Sequence, residues 1–146
     1  MKNLSILLLC ILFIGCDSDL EYSGLTNFIY RNSSSHKVTL EAYYEGELNE
    51  SFTLEKGQEK MFQDGLREGE NNPAYDRTRY LIDDSVVTIF DDTLSISYDK
   101  GRLDGNPMRI ENYKLVETET EPYVYLFEFT NEDYQRALER GRVVKP

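Results

Sequence analysis

The chain has one histidine, His36, and it follows three serines, Ser33 to Ser35. With Ser35 and any nearby aspartate it would supply the side chains of a Ser–His–Asp triad. Such triads are assembled by geometry and not by adjacent letters. A histidine in a Ser-rich turn between two strands is expected to be an exposed turn residue. Carboxylates are abundant, 27 in all. A glycosidase needs two of them flanking a scissile bond, but so many acids make pairs by accident. Asp99-Lys100-Gly101-Arg102-Leu103-Asp104-Gly105-Asn106 has something of a calcium loop's composition without its spacing, and Lys100 and Arg102 intrude. Asp83, Asp84, Asp91 and Asp92 read more simply as polar residues at strand ends. The expectation is no catalytic constellation, no metal and no cofactor.

Aromatic side chains are the richer resource, with eleven Tyr, seven Phe and no Trp. Tyr combines an apolar face with a polar tip, and it also suits strands. Tyr98, Tyr123 and Tyr125 fall in strand patterns. Tyr75 is different, because it sits in the longest loop beside Arg77 and Arg79. With Arg102 from a second loop, these three are the expected ligand-binding residues. Arg67 and Lys100 belong to the same two loops, where Asp64, Glu68, Glu70, Asp76 and Asp104 balance the charge.

Cys16 carries a different chemistry. Met1-Lys2-Asn3 brings one positive side chain, Leu4 to Ile14 is almost wholly apolar, and Gly15-Cys16 precedes acidic Asp17, Asp19 and Glu21. A basic start, a short apolar stretch and a small residue before the cut make a secretory signal. The stretch is shorter than the roughly 20 residues of a membrane-spanning helix. Leu12-Phe13-Ile14-Gly15-Cys16 resembles the bacterial lipobox, with Phe13 where Leu is commonest. The resemblance implies cleavage before Cys16, a diacylglyceryl group on its thiol, and an acyl chain such as palmitate on the freed amine. Each buried CH₂ contributes about 0.8 kcal/mol, and two or more chains anchor stably. Cys10 leaves with the signal. No free thiol then remains for disulfides, nucleophilic catalysis or metal, and a single histidine excludes the common zinc sites.

Residues 16–146 hold 15 basic and 27 acidic side chains, a net charge of −12. That surface repels nucleic acid and disfavours docking on anionic lipid. Membrane contact is therefore expected through the lipid on Cys16. The remaining partner is a glycan or an envelope protein. The charge itself reads as solubility at a crowded membrane surface.

The organisation that positions these residues is a signal peptide at 1–15, a lipidated tether at 16–25 and one domain at 26–146. Within the domain, short alternating runs dominate, as in half-buried strands. Phe28-Ile29-Tyr30 is the first. Val38, Leu40, Ala42 and Tyr44 then share one face, and Glu45-Gly46 reads as a hairpin turn. The return strand places Leu48, Phe52 and Leu54 on one face, with Glu50 as an exception. Met61-Phe62 is a short strand. Val86 to Phe90 is continuously apolar, as in a strand buried on both faces. Leu94, Ile96 and Tyr98 suit its hairpin partner. That hairpin would bring the 63–79 and 99–107 loops to the same end of the domain, a natural place for recognition. Tyr123, Tyr125, Phe127 and Phe129 line the last strand. Thr130 and Asp133 form a capping box for a short C-terminal helix that carries Tyr134, Ala137 and Leu138 and ends near Gly141. The expected fold is mainly β: an antiparallel β-sandwich of about seven or eight strands with one short C-terminal helix.

Two further resemblances bear on class. Asp84-Ser85-Val86 and Asp92-Thr93-Leu94 are similar to the O-glycosylation acceptor of Bacteroidetes exported proteins, which implies glycans on Ser85 and Thr93. The lipobox, the run Asp84 to Asp92 and the ending Tyr123-x-Tyr125-x-Phe127-x-x-Thr130-x-Glu132-Asp133-Tyr134-x-x-Ala137 together resemble small Bacteroidetes cell-envelope lipoproteins. The resemblance implies an outer-membrane address, periplasmic or surface-facing, and no catalytic residues. The expected function is a non-enzymatic glycan- or protein-binding module. An assembly component of an envelope complex comes second, and a carboxylate-based hydrolase third.

Overall fold

The computed structural model describes residues 25–65, 78–80, 83–101, 104–117 and 123–143. β1 (Leu25–Asn32) leads into β2 (Val38–Tyr44), where Val38, Leu40 and Ala42 are buried and the residues between them are half-buried. Glu45 and Gly46 turn the chain at φ of 51° and 81°, the left-handed pair that suits a two-residue hairpin. β3 (Glu47–Leu54) returns. The expected common face of Leu48, Phe52 and Leu54 is broken. The register shifts between Ala42 and Tyr43, so that Glu50 lies beside Ala42 but Leu48 beside Tyr43. One extra residue, Asn49, moves everything beyond it to the other face. Leu48 is therefore 54% exposed, while Phe52 and Leu54 are core. Tyr44, expected to face inward, is also exposed.

β4 (Glu59–Gly65), β5 (Ser85–Phe90), β6 (Leu94–Tyr98), β7 (Lys114–Glu117) and β8 (Tyr123–Phe129) follow, then helix α1 (Asn131–Arg140) and the short β9 (Arg142–Val143). They form two sheets, ordered β4-β1-β8-β7 and β3-β2-β5-β6-β9. The result is a β-sandwich of nine strands among the described residues. The pairings are antiparallel, except that β1 runs parallel to β8. β5 alternates where continuous burial was expected: Val86, Thr88 and Phe90 face the core, and Val87 and Ile89 lie half-buried on the outer face.

The core between the sheets is aromatic. Tyr30 is fully buried, and its ring meets those of Phe52, Phe62, Tyr80, Tyr113 and Phe127 at centroid distances of 5.3–6.1 Å. Such pairs add about 0.5–1.5 kcal/mol each beyond their area. Alternation along β8 supplies Tyr125, Phe127 and Phe129 to the same layer. Burial first, and then the neighbouring Tyr113 and Tyr80, push the Tyr30 phenol well above its ordinary pKa. These hydroxyls stay protonated and serve the packing.

The two ends of the sandwich differ. At the end where β1 begins and β6 finishes, Thr78 Oγ1 donates to the Met108 carbonyl at 3.1 Å. Thr78, ahead of β5, thus meets Met108, after β6, while most of the 63–79 loop lies outside the described residues. At the far end, buried Asn32 organises the β1–β2 loop. Its Nδ2 donates to the carbonyls of His36 and Leu54, and its Oδ1 accepts from the Ser34 backbone and hydroxyl.

Candidate functional site

Of the expected ligand-binding residues, Tyr75, Arg77 and Arg102 lie outside the described residues, as does Cys16. Arg79 is described, and its guanidinium is engaged in structure. It pairs with both carboxylate oxygens of Glu50, at 2.9 and 3.1 Å, and lies 4.2 Å from the Phe62 ring centroid. Glu50, the polar exception on the inward face of β3, is thereby neutralised at the open side between β3 and β4. Lys100 is exposed, and its carbonyl accepts from Arg109 Nη1 at 3.2 Å. Of the two glycosylation candidates, Thr93 is exposed in the β5–β6 turn, and Ser85 is half-buried at the first position of β5.

His36 is not an exposed turn residue. Its ring stacks on Tyr134 with centroids 3.6 Å apart, and Nδ1 lies 2.6 Å from Asp91 Oδ2. The hydrogen bond from His36, ahead of the Lys37 backbone, holds the Asp91 carboxyl below its ordinary value. Ser35 turns away, since its backbone N–H and hydroxyl both meet Asn131 Oδ1. The triad letters therefore make a clasp between the β1–β2 loop, the β5–β6 turn and α1.

The concave site is on the flank. A cleft of about 330 Å³ opens between the 104–112 segment, the end of β8 and α1, lined by Asp104, Gly105, Asn112, Phe127, Glu128, Thr130, Asp133 and Arg136. One wall comes from the second of the two predicted loops. The other comes from α1, which the sequence marks only as a short terminal helix. The Asp133 carboxylate accepts from the Thr130 backbone N–H and hydroxyl at 2.7 and 2.9 Å, which caps the helix start as predicted, and it also holds Arg136. Burial works to lower the Arg136 pKa, but Asp133 and Tyr98 more than offset it. Gly105 faces this pair at φ 65°, and a Cβ there would sit 2.5 Å from the guanidinium and 2.7 Å from Asp133 Oδ1. A side chain there would strain the left-handed backbone and push the Arg136 guanidinium aside. The Asp133–Arg136 spacing of i,i+3 on a helix was the available signal for this wall.

A general acid needs a raised carboxyl pKa. Glu128 shifts the other way, held low by hydrogen bonds from Lys114 first and then Ser33. The cleft brings carboxylates beside a guanidinium and an amide, and most of them bond within the protein: Asp133 holds Thr130 and Arg136, Glu128 accepts from Lys114 and Ser33, and Asn112 Nδ2 donates to the Asn106 carbonyl. Among the described residues no group of three His, Cys, Asp or Glu could hold a metal, and no helix is long and apolar enough to cross a membrane.

No family model matches the chain, and neither the curated proteins nor the solved structures contain a significant match to it.

Proposed function

We propose that this chain is a lipid-anchored cell-envelope lipoprotein whose domain binds and does not catalyse, and that the flank cleft takes a glycan. The observation that carries the binding half is the cleft itself. Its volume of about 330 Å³ falls at the small end of ligand sites, roughly 300–1,000 Å³, and its lining includes the exposed carboxylate of Asp104. The lipobox sequence at Leu12 to Cys16 supports the anchor. The test has two arms. Cys16→Ala should move the protein from the membrane to the soluble fraction, and unchanged membrane association would remove the lipoprotein reading. In calorimetric titrations with envelope polysaccharide fragments, Asp104→Ala should weaken binding about tenfold, the worth of roughly one charged hydrogen bond. Binding by wild type that this variant does not alter would place the ligand elsewhere.

An assembly role is the second reading. The exposed apolar side chains of β4 and β7 favour it, with Met61 63% and Val116 58% exposed.

A further inference from the structure

The outer face of the four-stranded sheet carries two adjacent rows across β4, β1 and β8, and Lys114 of β7 lies beside the second of them at Leu126. Register places Glu59 beside Arg31 and Arg31 beside Glu128. Lys114 reaches into the same row, with Nζ 2.8 Å from Glu128. Arg31 links the others, at 2.6 Å from Glu59 and 3.7 Å from Glu128. The charges across β4, β1, β8 and β7 therefore read minus, plus, minus, plus. The adjacent row is apolar over three strands, with Met61 beside Ile29 and Ile29 beside Leu126. Met61 is largely exposed, whereas Leu126 is nearly covered by its neighbours.

An alternating row of even length is complementary to its own reversal. We propose that this face pairs with the same face of a second copy, about a twofold axis parallel to the strands between β1 and β8. The two sheets then pack face to face, as in other aligned sheet pairs. Glu59 meets Lys114 of the second copy and Arg31 meets its Glu128, with each contact made twice, as an isologous interface requires. Ile29 and Leu126 meet across the axis. The same axis puts the start of β1 at the same end in both copies. Given the lipid anchor proposed above, both tethers then reach one membrane.

The magnitude is modest. Four strands about 4.8 Å apart, each contributing six residues at about 3.3 Å, make a face on the order of 400 Å² per copy. Stable interfaces bury roughly 1,200 Å² or more in total, so association in solution is weak, and the net negative charge of each copy opposes it further. Confinement to one membrane raises the effective concentration.

Sedimentation equilibrium of the full chain, purified as the cell processes it, tests the pairing. Wild type should associate reversibly up to millimolar concentration. Arg31→Glu sets two carboxylates against each other and Glu128→Arg sets two guanidiniums, so each variant alone should weaken association at least tenfold. An equimolar mixture of the two restores every opposite-charge contact and should recover a heterodimer. A wild type that stays monomeric, or a dimer indifferent to both changes, would overturn the proposal. If circular dichroism shows either variant unfolded, Met61→Glu, at an exposed position, replaces it with the same expected loss of association. Membrane fractionation of the same samples reports on the anchor separately, so failure of one reading does not mimic failure of the other.

Discussion

At the scale of single residues, the most exacting positions are those where polar or backbone groups close a gap between elements. Arg79 and Glu50 are both largely buried, with side chains 25% and 21% exposed. Removing one member of such a pair strands the other's charge, which costs more than removing both. Arg79→Met should therefore lower unfolding stability by about 1–3 kcal/mol. The double change with Glu50→Gln should recover part of that loss in the same denaturant titration. Gly141 is constrained by space. It ends α1 with ordinary backbone angles, yet a Cβ there would lie 2.3 Å from the Ala137 carbonyl oxygen and 2.4 Å from that of Ser95. Both are backbone atoms that cannot swing aside. Gly141→Ala should destabilise by about 1–3 kcal/mol, as overpacking does, and calorimetry would show it as a lowered Tm. An unchanged Tm would mean that α1 does not seat on β6 as described.

At the scale of elements, ion pairs fasten β8 on its outer face, and their contribution depends on pH. Glu128 is held below its ordinary value of 4.5 by Lys114 first. A depressed carboxyl contributes stability that is complete above its unfolded pKa and lost as pH falls through the folded one. Lys114→Met should thus cost up to about 1 kcal/mol near neutral pH, since Lys114 is well exposed. The gap from wild type should close as melting is followed downward below pH 4. A gap that persisted in acid would assign the effect to packing. Alternation of apolar residues made most of these strands legible in the sequence, as β2 and β8 show. Capping chemistry at Thr130 and Asp133 made α1 legible. Three features were not. The bulge at Asn49 changes phase without any turn residue to announce it. The parallel pairing of β1 with β8 joins segments far apart in the chain. Leu138, expected on the packed face of α1, is 54% exposed, because Asp133 and Ala137 hold the buried stripe. The same helix face brings Arg136 to the cleft. The candidate site was therefore half visible, through Asp104 and Gly105, and its other wall depended on where α1 docks.

At the scale of the whole molecule, the topology sets which end of the sandwich faces the membrane under the lipid-anchor proposal. β1 starts at the end that carries the β2–β3 turn, the start of β5 and the end of β6, and the tether joins there. Nine residues, 16–24, reach at most about 30 Å, so under that proposal this end would be the nearer one to the lipid. The far end stands about 25 Å further out, the length of an eight-residue strand at about 3.3 Å per residue. Glu128 and Thr130 lie at the far end of β8, while Arg136, bonded to Tyr98 at the end of β6, reaches toward the near end, so under that proposal the cleft would open sideways along the flank. Fluorophores on single cysteines at Glu47 and at Lys56, both exposed, report this orientation, because under the proposed processing no other free thiol would remain. Headgroup-labelled quencher lipids should dim the Glu47 probe more strongly than the Lys56 probe in reconstituted vesicles. Equal quenching would mean that the domain tumbles freely on its tether. Stronger quenching at Lys56 would mean that the domain lies inverted, which would bring the Glu128 end of the cleft toward the lipid and make a headgroup sugar its nearest ligand.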